Sequence, residues 1–148
     1  MTHMVEEIRS GSGDLLAIIL RHDFREPGIH FFTSNALSQQ MAYMRHPAGK
    51  VIVPHVHNPV RREVVTTQEA LFVRRGALRV DLYDHDREYL ESRILRDGDV
   101  ILLVSGGHGF EVLEEIEMIE IKQGPYAGDG DKSRIPGVDP ARVSVREP

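Results

Sequence analysis

The stretch "VPHVHNPVRREVVTTQEALFVRRG", Val53 to Gly76, sets His55 and His57 one residue apart and follows them with Glu63 and Glu69. Residues two apart in an extended strand point to the same face, so the two imidazoles project together while Val56 points away. A pair of imidazoles with a carboxylate nearby is a mixed nitrogen and oxygen donor set, of the kind that holds iron(II), manganese, nickel or zinc. The chain contains no cysteine. That removes disulfides, thiolate nucleophiles and sulfur-ligated zinc together, and leaves any metal to nitrogen and oxygen ligands.

The two carboxylates are not equivalent. Glu69 opens the apolar run "EALFV" and shares a strand face with Leu71 and Val73, where an ionised group is costly unless it is paired or bound to a cation. Glu63 follows Pro59 and the pair Arg61-Arg62 in a stretch that reads as a loop, where a solvated partner of an arginine is the simpler role. Glu69 is therefore the preferred ligand and Glu63 the alternative.

These side chains must be positioned by strands. Gly, Pro and Asp punctuate the chain at short intervals, and the segments between them are rich in Val, Ile, Leu, Phe and Tyr. Strands are expected near residues 15–21, 29–33, 40–45, 50–56, 68–74, 77–84, 89–95, 99–104, 109–113 and 117–123. Hairpins are expected at Arg75-Gly76 and Asp97-Gly98, with a further turn at "DHD", Asp84 to Asp86. No long amphipathic helix is apparent, and Ser34 to Gln39 is the one modest helical candidate. Many short strands in one small domain must hide their edges, so the expectation is an all-β fold, a two-sheet sandwich or closed barrel. After Gly124 the chain turns Gly- and Pro-rich. A loop over the barrel near residues 124–134 and then a flexible tail are expected.

Gly49, five residues, His55-Val56-His57, a later Glu69, six residues and Gly76 together resemble the first motif of the cupin superfamily. "GDVILLVSGGHG", Gly98 to Gly109, is similar to the second, whose histidine supplies the last ligand. The resemblance covers about residues 49–112. Among cupins, the small single-domain proteins that end in a "KQGPYAGD"-like segment look most similar. The chain departs from the pattern in three ways. The gap between the histidine pair and Glu69 is longer than the family's, the usual proline of the second motif is missing, and Val112 stands where an asparagine is common. The stretch "NPVRREVVTT" then reads as an inserted lid at the barrel mouth.

The resemblance implies a cupin-type double-stranded β-helix, or jelly-roll barrel, over about residues 14–123, with a C-terminal loop and tail at 124–148. It implies one divalent metal ion, iron, manganese, nickel or zinc, held by His55, His57, Glu69 and His108, and it implies a homodimer. For His108, Gly106, Gly107 and Gly109 would let the backbone bend to aim the imidazole inward. The remaining histidines, His3, His22, His30, His46 and His85, lie near ends or turns and read as surface residues.

Open coordination positions beside a barrel cavity allow Lewis-acid chemistry such as sugar isomerisation, or oxygen chemistry if the metal is iron. The expected function is an enzyme, a metal-dependent isomerase or dioxygenase acting on a small polar or carbohydrate-like substrate. Supporting groups would be Tyr43 and Arg45 on one strand face, and Glu120 and Lys122 on another. In the plainer alternative the latter two face water while Ile119 and Ile121 fill the core. Tyr126, Asp129 and Lys132 could close over a polar ligand. Two other classes stay open: a cupin that binds a small molecule or metal without turnover, and a metal-free isomerase or epimerase of nucleotide-linked sugars using His55 or His57 as acid and base.

With 148 residues, 41% of them apolar and 28% charged, the chain is the size of one soluble domain. A net charge of -5 gives no electrostatic reason to expect nucleic acid or an anionic membrane as a partner. The run Leu15 to Leu20 is too short for a membrane span and lacks the flanks of a leader, so a cytoplasmic location is expected.

Overall fold

The computed structural model describes residues 4–148; His3 lies outside them. The fold is all-β, a curled antiparallel half-barrel. Its strands are β1 Val5–Arg9, β2 Leu15–Leu20, β3 Gly28–Phe31, β4 Ala42–Arg45, β5 Glu69–Tyr83, β6 Tyr89–Arg96, β7 Val100–Leu103 and β8 Gly107–Lys122. Six of them form one sheet in the order β1-β2-β7-β5-β6, with β8 on the other edge of β5, and β3 and β4 form a separate two-stranded sheet.

β5 is the spine. The run "EALFVRRGALRVDLY" was expected to break into a hairpin at Arg75-Gly76, but it continues as one fifteen-residue strand. The reason lies at Gly76. Its φ of 107° is open to glycine alone among ordinary choices, and the β5–β8 register shifts on both sides of it, so the strand bends through a bulge instead of reversing. A Cβ there would meet the carbonyl oxygen of Glu115 at 2.1 Å. β8 follows the same bend, so the two segments expected at 109–113 and 117–123 are one strand.

The Asp97-Gly98 turn is not a hairpin either. β6 pairs with Ala77 to Tyr83 and β7 with Glu69 to Phe72 of the same β5. The turn between them sits opposite the Gly76 bulge: Asp97 accepts from the Gly76 amide at 2.6 Å, and the Gly98 amide donates to Val73 at 2.7 Å. The expected turn at Asp84 to Asp86 is present and joins β5 to β6, with Asp84 accepting from the amides of Asp86 and Glu88.

The concave face gathers Ile8, Ala17, Ile19, Leu71, Val73, Leu78, Val80, Leu82, Leu95, Ile101 and Leu103 into one core. β2 is buried on both faces, which is why it reads as an unbroken apolar run. A polar cluster is sealed beside this core. Arg21 pairs with Glu6 and Asp99, Arg93 pairs with Glu6 and Glu91, and Asp99 also accepts from the amides of His22 and Arg96.

Two further expectations about secondary structure fail, and β1 was not anticipated. Ser34 to Gln39 forms turns instead of a helix. The strand expected at 50–56 is absent: residues 49–67 are exposed and belong to no strand. The tail is also better anchored than expected. The Ser92 amide donates to Ser144, the Arg146 amide to Ser92 and the Val138 amide to the Tyr83 hydroxyl. Among the described residues, no helix is long and apolar enough to cross a membrane.

Candidate functional site

Cross-strand partners share a face of a sheet, so the register of β5 with β8 states which side chains look into the concavity. Glu69 pairs with Lys122, Leu71 with Glu120, Val80 with Phe110 and Leu82 with His108. Because Leu71, Val80 and Leu82 are core residues, Glu69, Glu120, Lys122, Phe110 and His108 all belong to the inner face. Glu69 and His108 come from opposite ends of the β5–β8 ribbon, and the bend at Gly76 folds those ends together. His108 Nε2 lies 2.6 Å from Glu69 Oε1. The ring of Phe110 flanks the imidazole at 5.3 Å between centroids.

The electrostatics follow from this contact. The hydrogen bond from His108 pulls Glu69 down to about 2, against the opposing effect of burial, with a further hydrogen bond to Glu120 and the charges of His108 and Lys122 adding to it. Glu120 moves the other way. Its hydrogen bond with Glu69 comes first, then desolvation and the repulsion of the Glu69 charge, and together they hold its proton above the ordinary carboxylate range. The two carboxyls thus differ: Glu69 is the stronger acid, held as an anion by His108, and Glu120 keeps its proton to higher pH than an ordinary carboxyl.

Glu69, His108, Phe110 and Glu120 line a groove of about 1020 Å³, and Lys122 lines the smaller pocket next to it. Thr66 and Thr67 form one wall, and the loop carrying Asp131, Lys132 and Arg134 forms another. His85 and Arg87 from the β5–β6 turn complete the rim. Thr67 donates to Asp131 at 3.1 Å, tying the two walls together. The groove is lined by charges of both signs, which suits a polar ligand better than an apolar one.

Comparison with family models, with curated proteins and with solved structures finds no match. The functional reading therefore rests on the geometry.

Of the side chains singled out from the sequence, the groove gathers Glu69, His108, Glu120 and Lys132, and Lys122 lies in the pocket beside it. The structure does not bring His55 and His57 to them. Those two rings stand edge-to-face at 5.3 Å, His55 Nδ1 is 2.8 Å from the Val53 carbonyl, and both residues are exposed and outside the groove. Among the described residues, no group of three or more His, Asp or Glu side chains is arranged to hold a metal. Glu63 is exposed in the same irregular segment. Tyr43 packs on Phe24 at 4.9 Å in the separate sheet, and Arg45 donates to the Arg25 carbonyl, so neither reaches the groove. Tyr126 lines a smaller neighbouring pocket, with the Lys122 ammonium 5.9 Å from its ring.

Sequence reasoning missed His85, Arg87 and Arg134 as groove residues. His85 looked like a turn histidine, and it is one; what places it is the contact of its Nε2 with the Ser105 hydroxyl at 2.9 Å, between residues twenty apart in the chain. No local spacing carries that signal.

Proposed function

We propose that this chain is a cupin-type β-barrel metalloprotein that binds one divalent ion through His108, Glu69, His55 and His57 and acts as an enzyme on a small polar or carbohydrate-like substrate. The observation that carries the reading is the meeting of Glu69 and His108 on the inner face of the bent ribbon. The carboxylate and the imidazole hydrogen-bond each other at 2.6 Å beside a roomy polar groove, and an ion would take the place of the proton they share. The other two ligands, His55 and His57, lie on the exposed segment.

When bound, the ion would supply Lewis acidity, or oxygen chemistry if it is iron. The chain's own residues account for the rest. Glu120, whose proton affinity is raised by the neighbouring Glu69, can exchange a proton with a substrate oxygen at the groove. Lys122, on the same inner face, stabilises a developing oxyanion or the anion of a bound substrate. Phe110 and the core beneath it shield one side of His108 from water.

Equilibrium dialysis of wild type, Glu69→Ala and His108→Ala against manganese and zinc, with elemental analysis, tests the metal. About one ion per wild-type chain and loss in both variants is expected. A wild-type chain that retains neither metal sinks the reading.

A second reading is favoured by the cluster of Glu69, His108 and Glu120, three groups able to move protons without a metal. The enzyme would then move protons on a substrate such as a nucleotide-linked sugar. Turnover that survives exhaustive chelation separates it from the first.

A further inference from the structure

The groove carries charges of both signs, but the fold does not satisfy the two signs equally. Asp84 accepts from the amides of Asp86 and Glu88, Asp131 accepts from the Thr67 hydroxyl, and Glu69 accepts from His108. Arg87, Lys132 and Arg134 line the same groove, and among the described residues their side chains make no hydrogen bond and no ion pair. A water-lined cleft with unpaired cations focuses its field on an incoming anion.

The backbone holds these cations in place. Arg87 lies in the turn that leaves β5 after Tyr83, and that turn is closed by hydrogen bonds between Asp84 and Glu88 and between Arg87 and Asp84. Arg134 precedes Ile135, whose Cδ1 lies 3.2 Å from where a Cβ on Gly107 would stand, and Gly107 is the β8 partner of Tyr83. The Val138 amide donates to the Tyr83 hydroxyl just beyond. The two arginines therefore enter the groove from one point of the sheet. Lys132 stands further along, near enough to Glu120 for its charge to favour that carboxylate.

Arg87 supplies a second, independent observation. Among the described residues it is the one non-glycine residue with a positive φ, 67°. Glycine or asparagine fills such a turn position at little cost, whereas a long side chain there is strained. Strain of this kind collects where a side chain serves a site, and this side chain lines the groove.

We propose that this end of the groove binds the phosphoryl group of a small phosphorylated substrate, clamped by Arg87 and Arg134, so that the rest of the molecule lies past Lys132 toward Glu120 and Glu69. Two guanidinium groups and an ammonium carry more charge than one carboxylate neutralises. They match the dianion of a phosphate ester, whose oxygens a guanidinium fork takes two at a time. The inference rests on the groove being the substrate site, as read above, and needs no metal.

Amide shifts of the full-length chain, followed by NMR in the presence of a chelator, test it with glycerol phosphate, pyrophosphate, malonate and glycerol as probes. Saturable shifts at residues 84–87, 106–107 and 130–135 are expected with glycerol phosphate, and none with glycerol. Arg134→Ala and Arg87→Gly are each expected to weaken glycerol phosphate by about tenfold or more, the worth of a hydrogen bond to a charged group. Arg87→Gly also relieves the turn, so it should melt no lower than wild type, which separates lost binding from a damaged fold. Tighter binding of pyrophosphate than of glycerol phosphate assigns the site to the diphosphate link of a nucleotide-bound compound, and the reverse order to a monoester; either upholds the subsite. Malonate binding as tightly as glycerol phosphate, unchanged affinity in both variants, or shifts confined to other residues overturns it. Phosphate binding by a chain that retains no metal leaves the subsite standing and removes only the metal reading, whereas metal uptake without phosphate binding removes the subsite alone.

Discussion

His108 Nε2 donates to Glu69 Oε1 across 2.6 Å, although the partners of these two residues in the β5–β8 register, Leu82 and Lys122, stand at opposite ends of the ribbon. A straight strand rises ~3.3 Å per residue, so Glu69 and Leu82 would lie roughly 40 Å apart along an unbent β5. The contact therefore depends on the bend, and the bend depends on a backbone conformation that Gly76 supplies.

Gly76→Ala is expected to lower stability by about 2–4 kcal/mol, combining the left-handed backbone with a Cβ forced against the Glu115 carbonyl. Urea unfolding measures it. Because the bend holds the site, the folded fraction of the variant should also lose manganese affinity. A variant as stable as wild type would mean that the ribbon bends without the glycine.

The depressed Glu69 carboxyl links the site to acid stability. Its folded value of about 2 lies below its unfolded value of 4.5. The stabilisation is therefore fully present above about pH 4.5 and disappears as pH falls toward 2. After allowance for solvent screening of a half-buried pair, its size is about 1 kcal/mol. Glu69→Gln removes the titration, so the metal-free variant should lose less stability than metal-free wild type between about pH 6 and pH 2. Parallel acid limbs in chemical unfolding would refute the pairing.

The site was legible in the sequence where it follows strand alternation and obscure where it depends on the curl. Glu69 could be placed on the inner face because Leu71 and Val73 fix that face from two and four residues away. Glu120 and Lys122 could be paired with each other for the same reason, but not turned inward: Ile119 and Ile121 competed as core residues, and only the register with β5 leaves those isoleucines outside. The hairpins at Gly76 and Gly98 were misread because a glycine with positive φ serves a bulge as well as a reversal. The strand at 50–56 was read from its composition. The segment forms no strand and meets no sheet edge. The acid-and-arginine cluster around Arg21 had no local signature, since its members come from β1, the residue just after β2, β6 and the turn before β7.

That cluster carries its own prediction. Asp99 is 2% exposed and takes hydrogen bonds from Arg21 at 3.1 Å, from the His22 amide at 2.9 Å and from the Arg96 amide at 2.8 Å. Asp99→Ala leaves a largely buried guanidinium one carboxylate short and two amides without their acceptor. The expected loss is about 3–5 kcal/mol in thermal or urea unfolding. Asp99→Asn keeps the acceptor for one neighbour and should lose less.

Glu120 tests the division of roles inside the groove. Its folded value lies above its unfolded one, so the protein holds this proton more tightly than the unfolded chain does. The corresponding stabilisation is full below about pH 4.5 and is lost as pH rises through the raised folded value, leaving repulsion between the Glu69 and Glu120 carboxylates at neutral pH. Glu120→Gln keeps a donor for Glu69 and removes the second charge. Metal-free variant and wild type should therefore be equally stable near pH 4, with the variant more stable at neutral pH by a modest amount, under about 1 kcal/mol because the group is largely solvated. Thermal unfolding at the two pH values reads this directly. The same substitution abolishes proton donation, so any turnover assigned to the groove should fall by about a hundredfold or more, the usual contribution of a positioned acid. Gained stability with lost turnover would mark Glu120 as a strained functional acid, whereas unchanged turnover would return it to the role of a surface carboxylate.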